Sequence, residues 1–218
     1  MYWWQAIVVL AWAMLSLVFA WVLWALETFS DPVAWGVVIV AVFVADAGSY
    51  VFHYVVDHYG RPRPGGVVHA FQRHHLIPDG IVQKPVVEVL YPAARIVTPL
   101  EALLLLGVSV RGEAGWWVLA LLVLSVFWVL AQLCHRWSHR PPGRLVRGLQ
   151  AAGILVSPSA HQRHHEAPYD SHFAVITGWS NPLFDGFGLP RRLDRLMQCL
   201  GLEKRGLVRN LRELEARE

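Results

Sequence analysis

Charge is scarce in this chain. Of its 218 residues only 16% are charged and 55% are hydrophobic, with a mean hydropathy of +0.39, whereas a soluble globular domain carries about 25% charged residues. That shortage excludes an ordinary water-soluble domain and points to a membrane. Cysteine is reduced to Cys134 and Cys199. Two residues so far apart make neither a disulfide framework nor a thiolate metal motif. Lysine is nearly absent, two residues against 17 arginines. The formal charge of +3 and the pI near 9.1 do not indicate nucleic acid, because the basic residues flank hydrophobic segments, as the positive-inside rule places them. No internal repeat and no low-complexity tract is present.

Crossing the hydrocarbon layer takes about 20 apolar residues in a helix, whose backbone satisfies its own hydrogen bonds. Ala6 to Leu26, interrupted only by Ser16, Val33 to Val56, interrupted by Asp46, and Gly115 to Leu133 meet that requirement. Val86 to Val110 is a less uniform fourth segment, with Glu88, Arg95, Glu101, Pro92 and Pro99. The sequence therefore predicts an all-α integral membrane protein of about four transmembrane helices, at about 4–27, 33–56, 86–110 and 115–134. The first segment lacks a basic leader and a small-residue cleavage site. It is expected to be a retained anchor, with Trp3, Trp4, Trp21 and Trp24 at its interfaces. With four crossings, the loop from Asp57 to Pro85 and everything after His135 share one side. That side holds Arg61, Arg63, Arg73, Lys84, Arg136, Arg140, Arg144 and Arg147, which predicts a cytosolic helical cap of residues 57–85 and 135–218. The tail from Pro190 on has helical leucine spacing against arginines. It is expected to form an amphipathic helix on the membrane or on the domain, or else an ordinary solvated one.

All 11 histidines lie in that cap or at its boundary with the spans. His53 and His58 close the second span; His69, His74 and His75 follow in the loop; His135 and His139 leave the last span; His161, His164, His165 and His172 come later. Residues four apart share a helix face, so His135 and His139 are expected to point together, as are His53 and Asp57, and likewise His161, His164 and His165. Imidazole alone does not select a metal. A zinc site uses about three or four protein ligands. Eight to ten candidates fit two six-coordinate irons better. Asp46, inside a span, is expected either to bond another helix or to orient a ligating histidine.

These residues resemble a family of lipid desaturases that includes plasmanylethanolamine desaturase, its bacterial CarF-type relatives and the plant fatty acid desaturase of plastid phosphatidylglycerol. Asp46, His53 and Asp57 match its D-x6-H-x3-D pattern; Phe71, His74 and His75 match F-x-x-HH; His135, Trp137 and His139 match H-x-W-x-H; and His161 to Asn181 match HxxHH continuing to TGW-x-N. The resemblance implies a single membrane-embedded desaturase domain over residues 1–218. It implies two iron ions, dioxygen as co-substrate, a membrane phospholipid substrate and an external electron donor such as cytochrome b5 or a ferredoxin. The implied ligands are His53, His74, His75, His135, His139, His161, His164, His165 and His172. Asp46, Asp57, His58, His69 and Asn181 are further ligands or supports, and Arg73, Arg95 and Arg163 are head-group contacts. Its implied product is a vinyl ether on an alkyl ether phospholipid, with acyl-lipid desaturation or hydroxylation as alternatives. The implied location is a bacterial inner membrane or an endoplasmic reticulum. Lys84 stands where the ether-lipid motif has a histidine, so His69 or His58 takes its place or activity is lost. A metal transporter or haem-binding membrane protein is the rival from another class.

Overall fold

The computed structural model describes residues 2–216. Among them the regular structure is helical throughout. The helices are α1 (Trp3–Ala25), α2 (Pro32–His58), α3 (Val67–Leu76), α4 (Gly80–Gln83), α5 (Val86–Arg111), α6 (Trp116–His139), α7 (Arg144–Ala151), α8 (Pro158–His164), α9 (Ser180–Gly186), α10 (Leu189–Cys199) and α11 (Leu207–Glu215). Four of these, α1, α2, α5 and α6, are long and apolar enough to cross a membrane.

Local chemistry sets their ends. Asp31 Oδ1 accepts from the Val33 amide at 2.8 Å and Pro32 occupies the first position of α2, where a missing N–H costs nothing. Ser157 caps α8, accepting from the Ala160 amide at 3.1 Å, again with proline in the first turn. Pro92 and Pro99 lie inside α5 without ending it, as apolar spans tolerate when neighbouring groups re-satisfy the backbone.

The chain divides into two compact units. One comprises the residues through Ala45 with Lys84–Leu133; the other comprises Asp46–Gln83 with the chain from Cys134 on. In the first, Val9 and Trp12 of α1 pack with Leu90, Ala94 and Val97 of α5 and Val129 of α6. Phe19, Leu23, Val108 and Leu119 form a second cluster. Ile7, Leu10, Met14, Leu17 and Trp21 of α1 are exposed, an apolar surface that only a lipid environment accommodates. Glu101 of α5 is buried and accepts from Ser16 at 2.9 Å and Ser125 at 2.5 Å. This buried carboxylate thereby bonds α5 to both α1 and α6.

In the second unit, Tyr50, Tyr54 and Tyr59 pack around Phe173 and Ala174, with Leu193 and Met197 of α10 against them. Leu207, Leu211 and Leu214 of α11 pack with Leu76 and Tyr169. The tail is thus two helices and not one. α10 stops at Cys199, Gly201 turns at φ +73°, and the amides of Arg205 and Gly206 donate to the His58 carbonyl at 3.0 and 3.1 Å. Glycine just past a helix end supplies the left-handed residue that closes it.

Candidate metal centre

Two groups of potential ligands converge in the second unit. His74, His135, His139, His161 and His165 form one, and His53, Asp57, His75 and His164 the other; within each, one ligand atom per residue lies within 4.8 Å of all the rest. Helical spacing explains the membership. His53 and Asp57 on α2, and His135 and His139 on α6, are four apart and share a face. His161 and His165 are also four apart, and both belong to the five-histidine group. His164 does not join them, contrary to the expectation from sequence. Neighbouring helical residues point about 100° apart, so His164 turns to the other group, just as His75 separates from His74.

The ring nitrogens are closely spaced. His74 Nε2 lies 2.8 Å from His139 Nε2, His161 Nε2 lies 2.9 Å from His139 Nε2, and His165 Nε2 lies 3.1 Å from His161 Nε2. In the second group Asp57 Oδ2 lies 3.5 Å from His53 Nε2, 3.2 Å from His75 Nε2 and 3.3 Å from His164 Nε2. Two ligand atoms each about 2.05 Å from one ion and at right angles to each other are about 2.9 Å apart. A polar cluster that closes on itself would leave few atoms over. Here buried atoms without a hydrogen-bond partner include both nitrogens of His135, His53 Nε2, His164 Nε2 and Asp57 Oδ1. Buried polar groups are normally partnered, so the orphaned donor set fits metal ions.

Ring orientation is fixed from behind. His53 Nδ1–H donates to the Phe173 carbonyl at 2.9 Å and His164 Nδ1–H to the Ser171 carbonyl at 3.2 Å. Each bond selects the tautomer that leaves the Nε2 lone pair facing Asp57. Burial pushes His74, His161, His164 and His165 below the usual imidazole range, and for His74, His161 and His165 the neighbouring histidines add to it. These rings are neutral at pH 7 and have no proton to lose before binding a cation.

The 171–181 segment that supplies those carbonyls is itself held firmly. Asp46 accepts from the amides of Thr177 at 2.8 Å, Gly178 at 3.0 Å and Ser180 at 3.0 Å, and from Ser180 Oγ at 2.7 Å. It touches no histidine directly, so its orienting effect on them runs through this backbone. Asn181 accepts from the Ala174 amide at 2.9 Å and returns a bond to its carbonyl; it is a brace and not a ligand. Gly178 adopts φ +76°, and an added Cβ would lie 3.3 Å from Val156. Sequence gave no signal for Gln72, which donates to the carbonyls of Val56 and Asp57 at 2.9 and 3.0 Å and ties α3 to the end of α2.

His172 stays outside both groups. It has φ +60°, its ring contacts Ser171 Oγ, Asp185 and Arg163, and its amide donates to Asp185. These polar partners hold the ring in place as a member of the strap. His58 is also outside: its ring lies 3.0 Å from the Tyr169 carbonyl and its own carbonyl anchors the tail. His69, half-buried on α3, belongs to neither group. Neither histidine therefore replaces the one absent at Lys84; the ninth donor is Asp57. Arg163 is exposed beside His172, Arg73 is half-buried on α3, and Arg95 stacks over the Tyr91 ring at 5.7 Å.

Residues 42–205 match the model of the lipid desaturase domain. The chain belongs to the lipid desaturase family. Among curated relatives of this family member, an Arabidopsis thaliana protein named fatty acid desaturase 4-like 1, chloroplastic, is 31% identical over 69% of the chain and 52% of its own length. Plasmanylethanolamine desaturase 1 of mouse is 28% identical over 77% of the chain and 66% of its own length. The plasmanylethanolamine desaturase of Myxococcus xanthus is 29% identical over 66% and 53%. The chain thus spans about half to two thirds of the length of these relatives. No solved structure matches it.

Proposed function

We propose that this chain is a multi-pass membrane enzyme that introduces a double bond into a hydrocarbon chain of a phospholipid, using two iron ions held by the two ligand groups. The observation that carries this reading is the convergence of eight histidines and one aspartate, from α2, α3, α6 and the α8 region, in a chain of the lipid desaturase family. We read residues 1–218 as one desaturase domain, since the family match at 42–205 draws on both units.

His74, His135, His139, His161 and His165 would hold one ion, and His53, Asp57, His75 and His164 the other. Bound iron with dioxygen supplies the oxidising power to remove two hydrogens from adjacent unactivated carbons, two electrons and two protons from outside completing the reduction to two waters. The residues contribute position and charge. The Phe173 and Ser171 carbonyls lock two ligand rings, Asp46 and Asn181 lock those carbonyls, and Asp57 supplies the one negative charge among nine donors. Ligands fixed in this way lose little freedom when they bind, which holds the reacting centre in one place relative to a substrate chain. Arg73 and Arg163, in the same unit as the ligands, are the proposed head-group contacts. The basic residues flanking the spans support a cytosolic position for this unit, with cytochrome b5 or a ferredoxin as electron donor.

The substrate we infer is an alkyl ether phospholipid, giving a vinyl ether. Acyl-lipid desaturation is the second reading, favoured by Lys84 in place of the ether-lipid histidine and by the Arabidopsis relatives at 31% identity. Expression in a host without ether-lipid desaturation decides between them, with His164→Ala as control. Acid-released aldehydes in the unsubstituted chain alone indicate vinyl ethers, and a new acyl double bond indicates the second reading. A product carrying an added oxygen, or lipids identical to the control with iron and a donor supplied, overturns the desaturase reading.

A further inference from the structure

We propose that the outer face of α10 is an interfacial membrane contact that grips anionic lipid head groups. One side of this helix is committed inward: Leu193 and Met197 pack on Tyr50, Tyr54 and Tyr59. Asp194 on the same side accepts from Tyr54 at 2.5 Å, Tyr59 at 2.7 Å and Lys204 at 2.8 Å. These contacts fix how the helix is rotated. The other side presents Arg191, Arg192 and Arg195 beside Leu196 and Leu200, which are 54% and 65% exposed, with Phe187, 64% exposed, just before the helix. Arg191 and Arg195 are four apart, as are Leu196 and Leu200, so each pair forms its own stripe and the two stripes run side by side.

A basic stripe next to an apolar one suits a helix lying in the plane of the head groups, with leucines dipping into the acyl boundary and arginines pairing with phosphates. The tyrosines that α10 packs on belong to α2 or directly follow it, and α2 is long and apolar enough to cross a membrane. A lipid surface is therefore always within reach, whereas a soluble partner would leave the leucines in water whenever it dissociated. The inward contacts hold the helix without any metal, so this contact is independent of the catalytic reading.

Cys199 offers a built-in probe, since it lies on the same exposed face and the other cysteine, Cys134, is buried. The full chain, labelled at Cys199 with an environment-sensitive fluorophore, is reconstituted into phosphatidylcholine vesicles with and without phosphatidylglycerol, with Cys199→Ser as the labelling control. The expected result is blue-shifted emission, and quenching by brominated lipid at least about twofold stronger in the anionic vesicles. Arg191→Gln, Arg192→Gln and Arg195→Gln together remove that anionic gain while leaving iron content unchanged. A probe that stays water-like in both membranes overturns the proposal. So does a signal indifferent to lipid charge, or one that grows with the protein-to-lipid ratio and so assigns the face to a second copy.

Discussion

Asp57→Asn is the most discriminating single change, because it alters charge at nearly constant shape in one ligand group only. Asp57 Oδ2 stands 3.2 to 3.5 Å from three imidazole Nε2 atoms and is the only anionic donor among the nine. Disturbing even the outer support of a metal site costs about 10–100-fold in affinity. Neutralising the one carboxylate of a four-donor group is expected at the upper end, about 100-fold or about 2.7 kcal/mol. The five-histidine group keeps all its donors. Iron per purified chain, measured by elemental analysis after titration with ferrous ion at limiting concentration, should therefore fall from two toward one. The metal-free melting temperature should hardly move, since Asp57 Oδ1 is already buried without a partner, and this separates loss of binding from loss of fold. Two irons retained within about threefold of the original affinity would refute the assignment of Asp57 as a ligand. Loss of both ions would refute the division into two groups.

His172→Ala should keep two irons per chain, whereas His164→Ala should lose one; equal losses would bring His172 back among the ligands. Asp46→Ala strands four donors from Thr177, Gly178 and Ser180 at about 1–3 kcal/mol each. It should lower the melting temperature by roughly 10 °C or more and weaken iron binding, with Asp46→Asn recovering part of both; an unchanged melting curve would contradict the strap. For pH, His74, His161, His164 and His165 are depressed by burial, so between their folded values and the ordinary value near 6.5 the unfolded chain binds more protons. Stability of the metal-free protein should be level above about pH 6.5 and fall as the pH drops below it, by on the order of 1 kcal/mol per pH unit for each histidine. A melting temperature that holds or rises from pH 7 to pH 5 would overturn this.

The four long helices were legible because a span is a local property: twenty apolar residues in a row need no knowledge of the rest of the chain. The pairing of His135 with His139 and of His53 with Asp57 was legible for the same reason, as a consequence of helical pitch. What stayed hidden depends on segments distant in sequence. Asp46 reads as a histidine orienter until the 177–180 backbone is seen folded onto it, 131 to 134 residues away. His172 looks like one more ligand until Asp185 and Arg163 claim its ring. The break in the tail did have a signal, Gly201 at the end of the leucine pattern, but the partner that uses the break, the His58 carbonyl, is non-local.

The two histidine dipeptides explain why there are two groups rather than one. On α3 and at the end of α8, adjacent rings diverge by about 100°, so each dipeptide sends one ring to each group: His74 and His165 to the first, His75 and His164 to the second. The helices with four-residue spacing, α2 and α6, each serve a single group. This arrangement keeps the groups adjacent, since the rings of His75 and His165, one from each, have centroids only 4.6 Å apart. It also makes them unequal, five neutral donors against three and a carboxylate. An ion in the second group has part of its charge balanced by Asp57, while one in the first has no anionic ligand of its own. The five-histidine ion is therefore expected to be the more electron-poor of the two and the better attractor of an exogenous anion. Titrating azide into the ferric protein tests this. A single charge-transfer band that survives in Asp57→Asn is the expected outcome, and a band that disappears with that substitution reverses the order.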